Sequence, residues 1–192
     1  MALDAMNDRS DEALLELYAE GDPAAARALT LRLGPLAYRL AMRMLRDGAE
    51  AEDVAQEALL RLWKIAPEWR TGEAKVSTWL YRVVSNLATD RLRKRRGSSL
   101  DDAPEVADDS PSVLDEMMRR DRMAALDAAL AQLPDRQRLA VTLRHIDGLS
   151  NPEIAEAMET GVEAVESLTA RAKRALAKLL AGRREELGFG DD

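Results

Sequence analysis

The chain has 192 residues, no Cys, one His and a formal net charge of −7 at pH 7. These numbers exclude disulfides, zinc–thiolate sites, thiol nucleophiles and clusters of His ligands, and they disfavour a protein that coats DNA through an overall basic charge. No apolar run approaches the ~20 residues of a membrane-spanning helix, and the N-terminus lacks the basic and apolar regions of a secretory signal, so we expect a soluble, cytoplasmic protein.

The composition is rich in Ala, Leu, Arg, Glu and Asp and contains a single Phe, which predicts an all-α fold. The charges are segregated along the chain. Seven acids and no Lys or Arg lie between Leu100 and Met118, whereas residues 91–96 and 171–178 are basic. This segregation is more informative about function than the total charge.

Capping residues and apolar periodicity predict three helices in the first third of the chain. The first follows the N-cap Ser10, and the second covers Ala24–Leu45, where Gly34 and Pro35 are expected to kink or split it. The third covers Ala51–Ile65. Polar side chains share one face of this third helix, which on its own indicates only a solvated surface.

A short loop, residues 68–76, leads into a basic amphipathic helix at Ser77–Arg96. Its apolar stripe consists of Leu80, Val83, Val84, Leu87 and Leu92. The residues that fall off this stripe are Arg82, Asn86, Asp90, Arg91 and Arg93. Cations, an amide and a Trp on one helix are the groups that contact phosphates, base edges and base faces in DNA. The alternative is a core-packed helix with a solvated basic end.

The stretch from Gly97 to Pro111 combines Gly, Ser, Pro and a cluster of Asp with little that can be buried, which predicts a linker and a domain boundary. A helix that restarts near Ser112 is expected to stop at Pro134, and a short helix follows at Arg136–His145.

Two successive capping boxes, Ser150–Glu153 and Thr160–Glu163, surround a turn and predict a helix-turn-helix. The outward positions of its second helix are Glu163, Glu166, Ser167, Ala170, Arg171, Arg174 and Lys178. Such a helix can enter a major groove with its N-terminal half while its C-terminal cations meet phosphates. A plain helical hairpin is the alternative.

Four motifs occur in order: EDVAQEALLRLW at 52–63, STWLYRVVSNLATDRLRKRR at 77–96, LPDRQR at 133–138 and GLSNPEIAEAM at 148–158. Together with the following helix, they resemble the bacterial extracytoplasmic-function (ECF) sigma factors, and the likeness extends from about Ser10 to Leu180. The resemblance implies a dissociable subunit of RNA polymerase that directs the enzyme to promoters, with no cofactor and no catalytic residues of its own.

The resemblance also implies a division of labour along the chain. Residues 1–97 would dock on polymerase and recognise and melt the minus-ten element, residues 98–117 would form the acidic linker, and residues 118–192 would read the minus-thirty-five element. The implied contacts with the clamp helices of polymerase are Glu52, Asp53, Gln56, Glu57, Leu60 and Arg61, and the polymerase flap is a second expected contact. The implied minus-ten residues are Trp69, Arg70, Lys75, Trp79, Arg82, Asn86, Asp90, Arg91, Arg93, Lys94, Arg95 and Arg96. The implied minus-thirty-five residues are Thr160, Glu163, Glu166, Ser167, Ala170, Arg171 and Arg174.

Three points stay open within this resemblance. Trp79 is expected in the core, with base capture as its alternative role. Many relatives carry basic residues where this chain has Glu166 and Leu168, and Thr169 stands where an apolar residue is common, so the bases read by this helix are not defined. The acidic linker is either a soluble tether or a DNA-mimicking strand that threads toward the polymerase exit channel.

The sequence leaves two rival functions and one regulatory expectation. A sigma-mimicking decoy that sequesters an anti-sigma factor would keep the fold and lose the DNA contacts. A stand-alone helix-turn-helix regulator would leave Ser10–Arg96 unexplained. An enzyme is disfavoured by the lack of a Gly-rich phosphate loop, of Cys and of a second His. The family is usually held inactive by an anti-sigma factor, in some cases at the membrane, and is associated with the nucleoid when active.

Overall fold

In a computed structural model of the chain, the described residues are 6, 8–70, 72, 74–98 and 114–181, without the side chains of residues 98 and 114–122. These ranges contain α-helices and no strand, as the composition predicts. The helices are α1 (Asp11–Ala19), α2 (Pro23–Leu45), α3 (Gly48–Ile65), α4 (Val76–Ser98), α5 (Leu114–Ala131), α6 (Asp135–His145), α7 (Asn151–Ala157) and α8 (Val162–Ala181), with a 3-10 turn at Ala66–Glu68 after α3. The helices form two compact units, one with α1–α4 and one with α5, α6, α8 and most of α7.

The first unit is organised around α2, which packs against α1, α3 and α4. Leu29, Leu33 and Leu40 of α2 are fully buried, together with Val54 and Leu62 of α3. The apolar spacing of three and four residues along these helices places the side chains on one face, and their burial is the main source of stability for the unit.

Pro35 does not split α2, contrary to one of the two outcomes expected from the sequence, because the helix continues from Pro23 to Leu45. A proline inside a helix removes the hydrogen bond to the carbonyl four residues earlier, here that of Leu31. Both residues are exposed, and Leu31 keeps 62% of its surface accessible. Water can therefore satisfy the freed carbonyl, which makes the proline tolerable at this position.

Asp residues set the starts of α2 and α3. The Asp22 carboxylate accepts a hydrogen bond from the backbone N–H of Ala24 at 2.8 Å, and the Asp47 carboxylate accepts one from the N–H of Glu50 at 3.0 Å. Helix α3 therefore begins at Gly48, three residues earlier than the predicted start at Ala51. An N-cap acceptor satisfies one of the otherwise unpaired donors of the first turn.

The second unit packs α5, α6 and α8 together, with Leu130, Leu133, Val141 and Ala172 buried in one cluster. Most of the predicted linker lies outside the described residues. Its predicted span, 98–117, overlaps α4 at one end and α5 at the other, because α5 already begins at Leu114.

Helices α7 and α8 form the predicted helix-turn-helix, but only the first capping box is present. The Glu153 carboxylate accepts hydrogen bonds from the Ser150 N–H at 2.8 Å and from its hydroxyl at 2.7 Å. The second box, at Thr160 and Glu163, is wrong by one residue. Helix α8 begins at Val162, so its N-cap position belongs to Gly161, which has no side chain, and the Thr160 N–H is already bound to the Ala155 carbonyl at 2.9 Å.

Candidate nucleic-acid interface

Two tryptophans frame the loop between α3 and α4. The rings of Trp69 and Trp79 meet edge to face, with centroids 6.1 Å apart and an interplanar angle of 87°. Trp69 follows the 3-10 turn, where its N–H donates to the Ala66 carbonyl at 3.2 Å, and Trp79 lies in the first turn of α4. Both rings are half-buried, so Trp79 is neither a core residue nor a fully exposed one. Arg70 and Lys75 are exposed on either side of the loop.

Helix α4 separates apolar from polar side chains as its sequence pattern predicts. Leu80, Val84 and Ala88 are at most 2% exposed. On the opposite side, Asn86 is exposed, and Arg82 is half-buried one turn earlier. Asn86 therefore lies on the solvent face of α4.

The basic end of α4 divides into an inward and an outward set. Arg91 reaches the Glu50 carboxylate at 3.0 Å, the Glu50 backbone carbonyl at 3.3 Å and the Asp53 carboxylate at 3.8 Å. Arg95 reaches Asp47 at 3.2 Å, Glu50 at 3.3 Å and the Leu45 carbonyl at 3.1 Å. We call these two arginines and three acids the α3–α4 ion cluster.

The outward set consists of Arg93, Lys94 and Arg96, which are all exposed. Arg93 also pairs with Asp90 at 2.7 Å, but both side chains are more than half exposed, and pairs of this kind contribute little to stability. Lys94 makes no ion pair or hydrogen bond within the described part of the chain. The family resemblance implied a minus-ten role for all five cations of this run, without separating the two that pair within the fold. Their spacing carries the missed signal, because Arg91 and Arg95 are four residues apart and share a helix face.

The polar residues of α3 form one exposed surface. Glu52, Asp53, Gln56 and Arg61 are exposed, and Leu60 in their midst keeps 54% of its surface accessible. Arg61 and Glu57 form an exposed ion pair at 2.9 Å. Single exposed apolar residues are normal on protein surfaces, so Leu60 makes this surface available to a partner without requiring one.

Helix α8 exposes the side on which base contacts are predicted. Val165 and Ala172 are fully buried, whereas the predicted outward residues Glu163, Glu166, Ala170, Arg171 and Arg174 are exposed, and Ser167 and Thr160 are half-buried. The Asn151 amide donates a hydrogen bond of 3.4 Å to the Glu166 carboxylate. This contact connects the second turn of α8 to the start of α7.

One residue next to the loop between α3 and α4, which we call the tryptophan loop, could not be predicted from the sequence. Glu12 of α1 accepts a hydrogen bond of 3.1 Å from the backbone N–H of Val76, the first residue of α4. Burial on its own would raise the pKa of Glu12, but hydrogen bonds from backbone N–H groups and from Ser10, together with the nearby Lys75 cation, lower that pKa below its ordinary value of 4.5. No sequence pattern signals this contact, because the two residues are 64 positions apart.

Metal ligands and membrane-spanning helices would be two other kinds of functional feature in the described ranges. No group of three or more His, Cys, Asp or Glu side chains there could hold a metal ion. None of the helices in those ranges combines the length and the apolar character that crossing a membrane requires.

Two family matches cover most of both units. Residues 29–98 match sigma-70 region 2, and residues 123–176 match sigma-70 region 4. A stand-alone helix-turn-helix regulator would not carry the region 2 match.

Two solved structures have the same fold. CnrH in complex with the cytosolic domain of CnrY gives a TM-score of 0.69 at 24% identity over 91% of this chain and 99% of that chain. The sigma factor RpoE in complex with the anti-sigma factor NepR from Bartonella quintana gives a TM-score of 0.67 at 22% identity. This match covers 81% of this chain and 96% of that chain.

Curated relatives align over nearly their full lengths. The RNA polymerase sigma-H factor of Pseudomonas aeruginosa is 33% identical over 91% of this chain and 96% of its own. The ECF sigma factor SigW of Bacillus subtilis is 34% identical over 74% of this chain and 82% of its own length. The ECF sigma-E factor of Escherichia coli is 33% identical over 87% of this chain and 92% of its own length. With both regions present in order on an all-α fold, the chain belongs to the extracytoplasmic-function family of RNA polymerase sigma factors.

Proposed function

We propose that this sigma factor divides its work among three exposed surfaces: α3 docks on core polymerase, the tryptophan loop and α4 engage the minus-ten element, and α8 reads the minus-thirty-five element. The observation that carries this assignment is the separation of faces on α3, α4 and α8. In each helix, apolar side chains are buried, and the side chains suited to the proposed contact are exposed or half-buried.

The α3 surface supports docking because it combines Leu60 with charges of both signs. Burying an exposed Leu against a partner contributes up to about 1.5 kcal/mol, and the surrounding Glu52, Asp53 and Arg61 provide the polar rim typical of a protein interface. Core RNA polymerase is the partner that the family implies, and the protein is therefore expected to act in the cytoplasm.

The tryptophan loop supports strand capture because stacking on an aromatic side chain contributes about 1–3 kcal/mol per base and does not depend on the base. Trp69 and Trp79 provide the aromatic surface, and Arg70 and Lys75 provide cations for the backbone of an opened strand. Asn86 is the candidate for contact with a base edge. Energy gained in this way offsets the cost of unstacking a base from the duplex.

Helix α8 supports upstream recognition through Arg171 and Glu166. An arginine can donate two hydrogen bonds to guanine, and a carboxylate can accept one from cytosine. Arg174 and Lys178 lie further along the helix, where they suit phosphates. We assign base reading to Arg171 and Glu166. We assign backbone binding to Arg174 and Lys178.

An anti-sigma factor is the proposed regulatory partner. Both solved relatives described above are complexes, one with the cytosolic domain of CnrY and one with the anti-sigma factor NepR. This chain shares their fold and leaves Leu31 and Leu60 exposed, and such apolar groups are suited to a protein partner.

Run-off transcription with purified core polymerase and sheared genomic DNA tests the function directly. Discrete new transcripts are expected only when the protein is present, and they give the promoter sequence. A Leu60→Asp variant is expected to lose core binding and transcripts together, whereas Leu31→Asp, an equally exposed change on α2, should keep both. Core binding without transcripts would overturn the assignment of the DNA surfaces, and no core binding would leave the decoy function.

A further inference from the structure

The first backbone N–H of α4 is bound by a side chain from α1. Lys75 precedes the helix, and its backbone carbonyl accepts the N–H of Trp79 at 3.0 Å, so it occupies the capping position. A lysine side chain carries donors only and cannot accept a hydrogen bond from the first-turn N–H groups. Glu12 of α1 provides an acceptor, because its carboxylate lies 3.1 Å from the Val76 nitrogen.

Glu12 is held in place by contacts on the other side of α1. The Ser10 hydroxyl caps α1 by accepting the N–H of Ala13 at 3.2 Å. Asp11 pairs with Arg32 of α2 at 3.0 Å, and the Arg32 guanidinium also donates to the Arg9 carbonyl at 2.7 Å. The start of α1 is therefore fixed to α2, and Glu12 connects it to α4.

The charge of Glu12 suits this position. A carboxylate at a helix N-terminus interacts favourably with the helix dipole. Although burial acts to raise the pKa of Glu12, the hydrogen bonds and the Lys75 cation lower it overall, so the group stays ionised near neutral pH. The contact thus combines an N-cap with a charge–dipole interaction.

We propose that Glu12 is a positioning residue for the minus-ten element: it fixes the point where the tryptophan loop joins α4 and so holds Trp79 and Lys75 in the geometry that captures an opened strand. The near end of the loop is held separately, by packing of α1 against the 3-10 turn. Helix α1 lies outside residues 29–98, which match sigma-70 region 2, so that match assigns no role to Glu12. The inference rests on the proposed function of the tryptophan loop.

The experiment uses the full chain assembled with core polymerase. The probe is a fluorescent single-stranded DNA selected from a random pool by the wild-type holoenzyme. Glu12→Ala is expected to weaken probe binding about five-fold, because it removes a helix cap. Glu12→Gln keeps an acceptor oxygen and should restore most of the binding. Glu12→Asp keeps the charge, shortens the reach and provides a second loss variant if Glu12→Ala does not fold. Glu20→Ala, an exposed change at the other end of α1, is the matched control.

Affinity for core polymerase is measured in parallel for every variant. Weaker probe binding by Glu12→Ala with unchanged core affinity, together with recovery in Glu12→Gln, would support the positioning role. Equal loss of probe and core binding, or a Glu12→Gln variant no better than Glu12→Ala, would overturn it. A wild-type holoenzyme that selects no single strand would instead refute the proposed function of the tryptophan loop, and the inference would fall with it.

Discussion

Arg95 and Lys94 are neighbours on α4, but they should differ in what they do. Replacing Arg95 with Ala removes its contacts with Asp47, Glu50 and the Leu45 carbonyl, at 3.1–3.3 Å. Replacing Lys94 with Ala removes no ion pair or hydrogen bond within the described part of the chain. We therefore expect the first change to act on stability and the second on DNA binding.

The size of the Arg95 effect follows from its surroundings. Hydrogen bonds that involve charged groups contribute roughly 1.5–3 kcal/mol when they are well shielded from water. Arg95 is 36% exposed, and its partners Asp47 and Glu50 are 24% and 33% exposed, so solvent screening reduces the value. A loss of about 1 kcal/mol in the free energy of unfolding remains, which lowers the Tm of a unit of this size by about 5 °C.

The DNA effect of each variant is read from the salt dependence of promoter binding by the holoenzyme. Loss of one phosphate contact reduces the slope of log K against log salt by about 0.9. Lys94→Ala should show this reduction with an unchanged Tm, and Arg95→Ala should show the lower Tm with little change in slope. A lower slope and an unchanged Tm for Arg95→Ala would refute the assignment of Arg95 to the α3–α4 ion cluster.

Four further outcomes are expected. Asn86→Ala should slow promoter opening more than initial binding, as stopped-flow and permanganate footprinting would show; equal losses in both steps would count against a role in capture. Arg171→Ala should weaken footprinting at the upstream element only, and a loss at both elements would contradict the assignment to α8. Gly148 has a φ of +77°, and no atom lies within 4 Å of an added Cβ, so Gly148→Ala should lower the free energy of unfolding by about 1 kcal/mol through backbone strain alone. Gly97 lies within α4, also with open space around it, so Gly97→Ala should raise the free energy of unfolding; chemical denaturation measures both. Because the pKa of Glu12 is lowered by folding, its charge stabilises the protein above pH 4.5, and this stabilisation is lost as the pH falls through the lowered pKa; the stability difference between wild type and Glu12→Gln should shrink there in acid titrations.

The helices and the family were predictable because local signals carry them. Apolar spacing, the N-cap Ser10 and the ordered motifs all act within a few residues. The exposed face of α8 was also predictable, because Val165 and Ala172 fix which side is buried. These features need no knowledge of how the helices pack.

The missed features all depend on contacts between distant segments. In the sequence, Arg91 is one of several similar cations, and only the folded structure shows that it pairs with Glu50. Glu12 had no local reason to be singled out, since its partner lies 64 residues away. The second capping box failed for a different reason, because the turn between α7 and α8 used the Thr160 N–H and shifted the start of α8 by one residue.

The contact between α1 and α4 also determines which fragment of the protein can be studied in isolation. A shortened chain that starts at residue 29, where the region 2 match begins, would lack Glu12 and the first turn of α2. Its α4 would lack the contact between Glu12 and the Val76 N–H, beside the loop that we propose captures DNA, and core side chains such as Leu14 and Leu15 would be missing. Fragments intended to isolate strand capture should therefore begin before Ser10. Weak DNA binding by a shorter fragment would reflect fraying of α4 rather than a property of the tryptophan side chains.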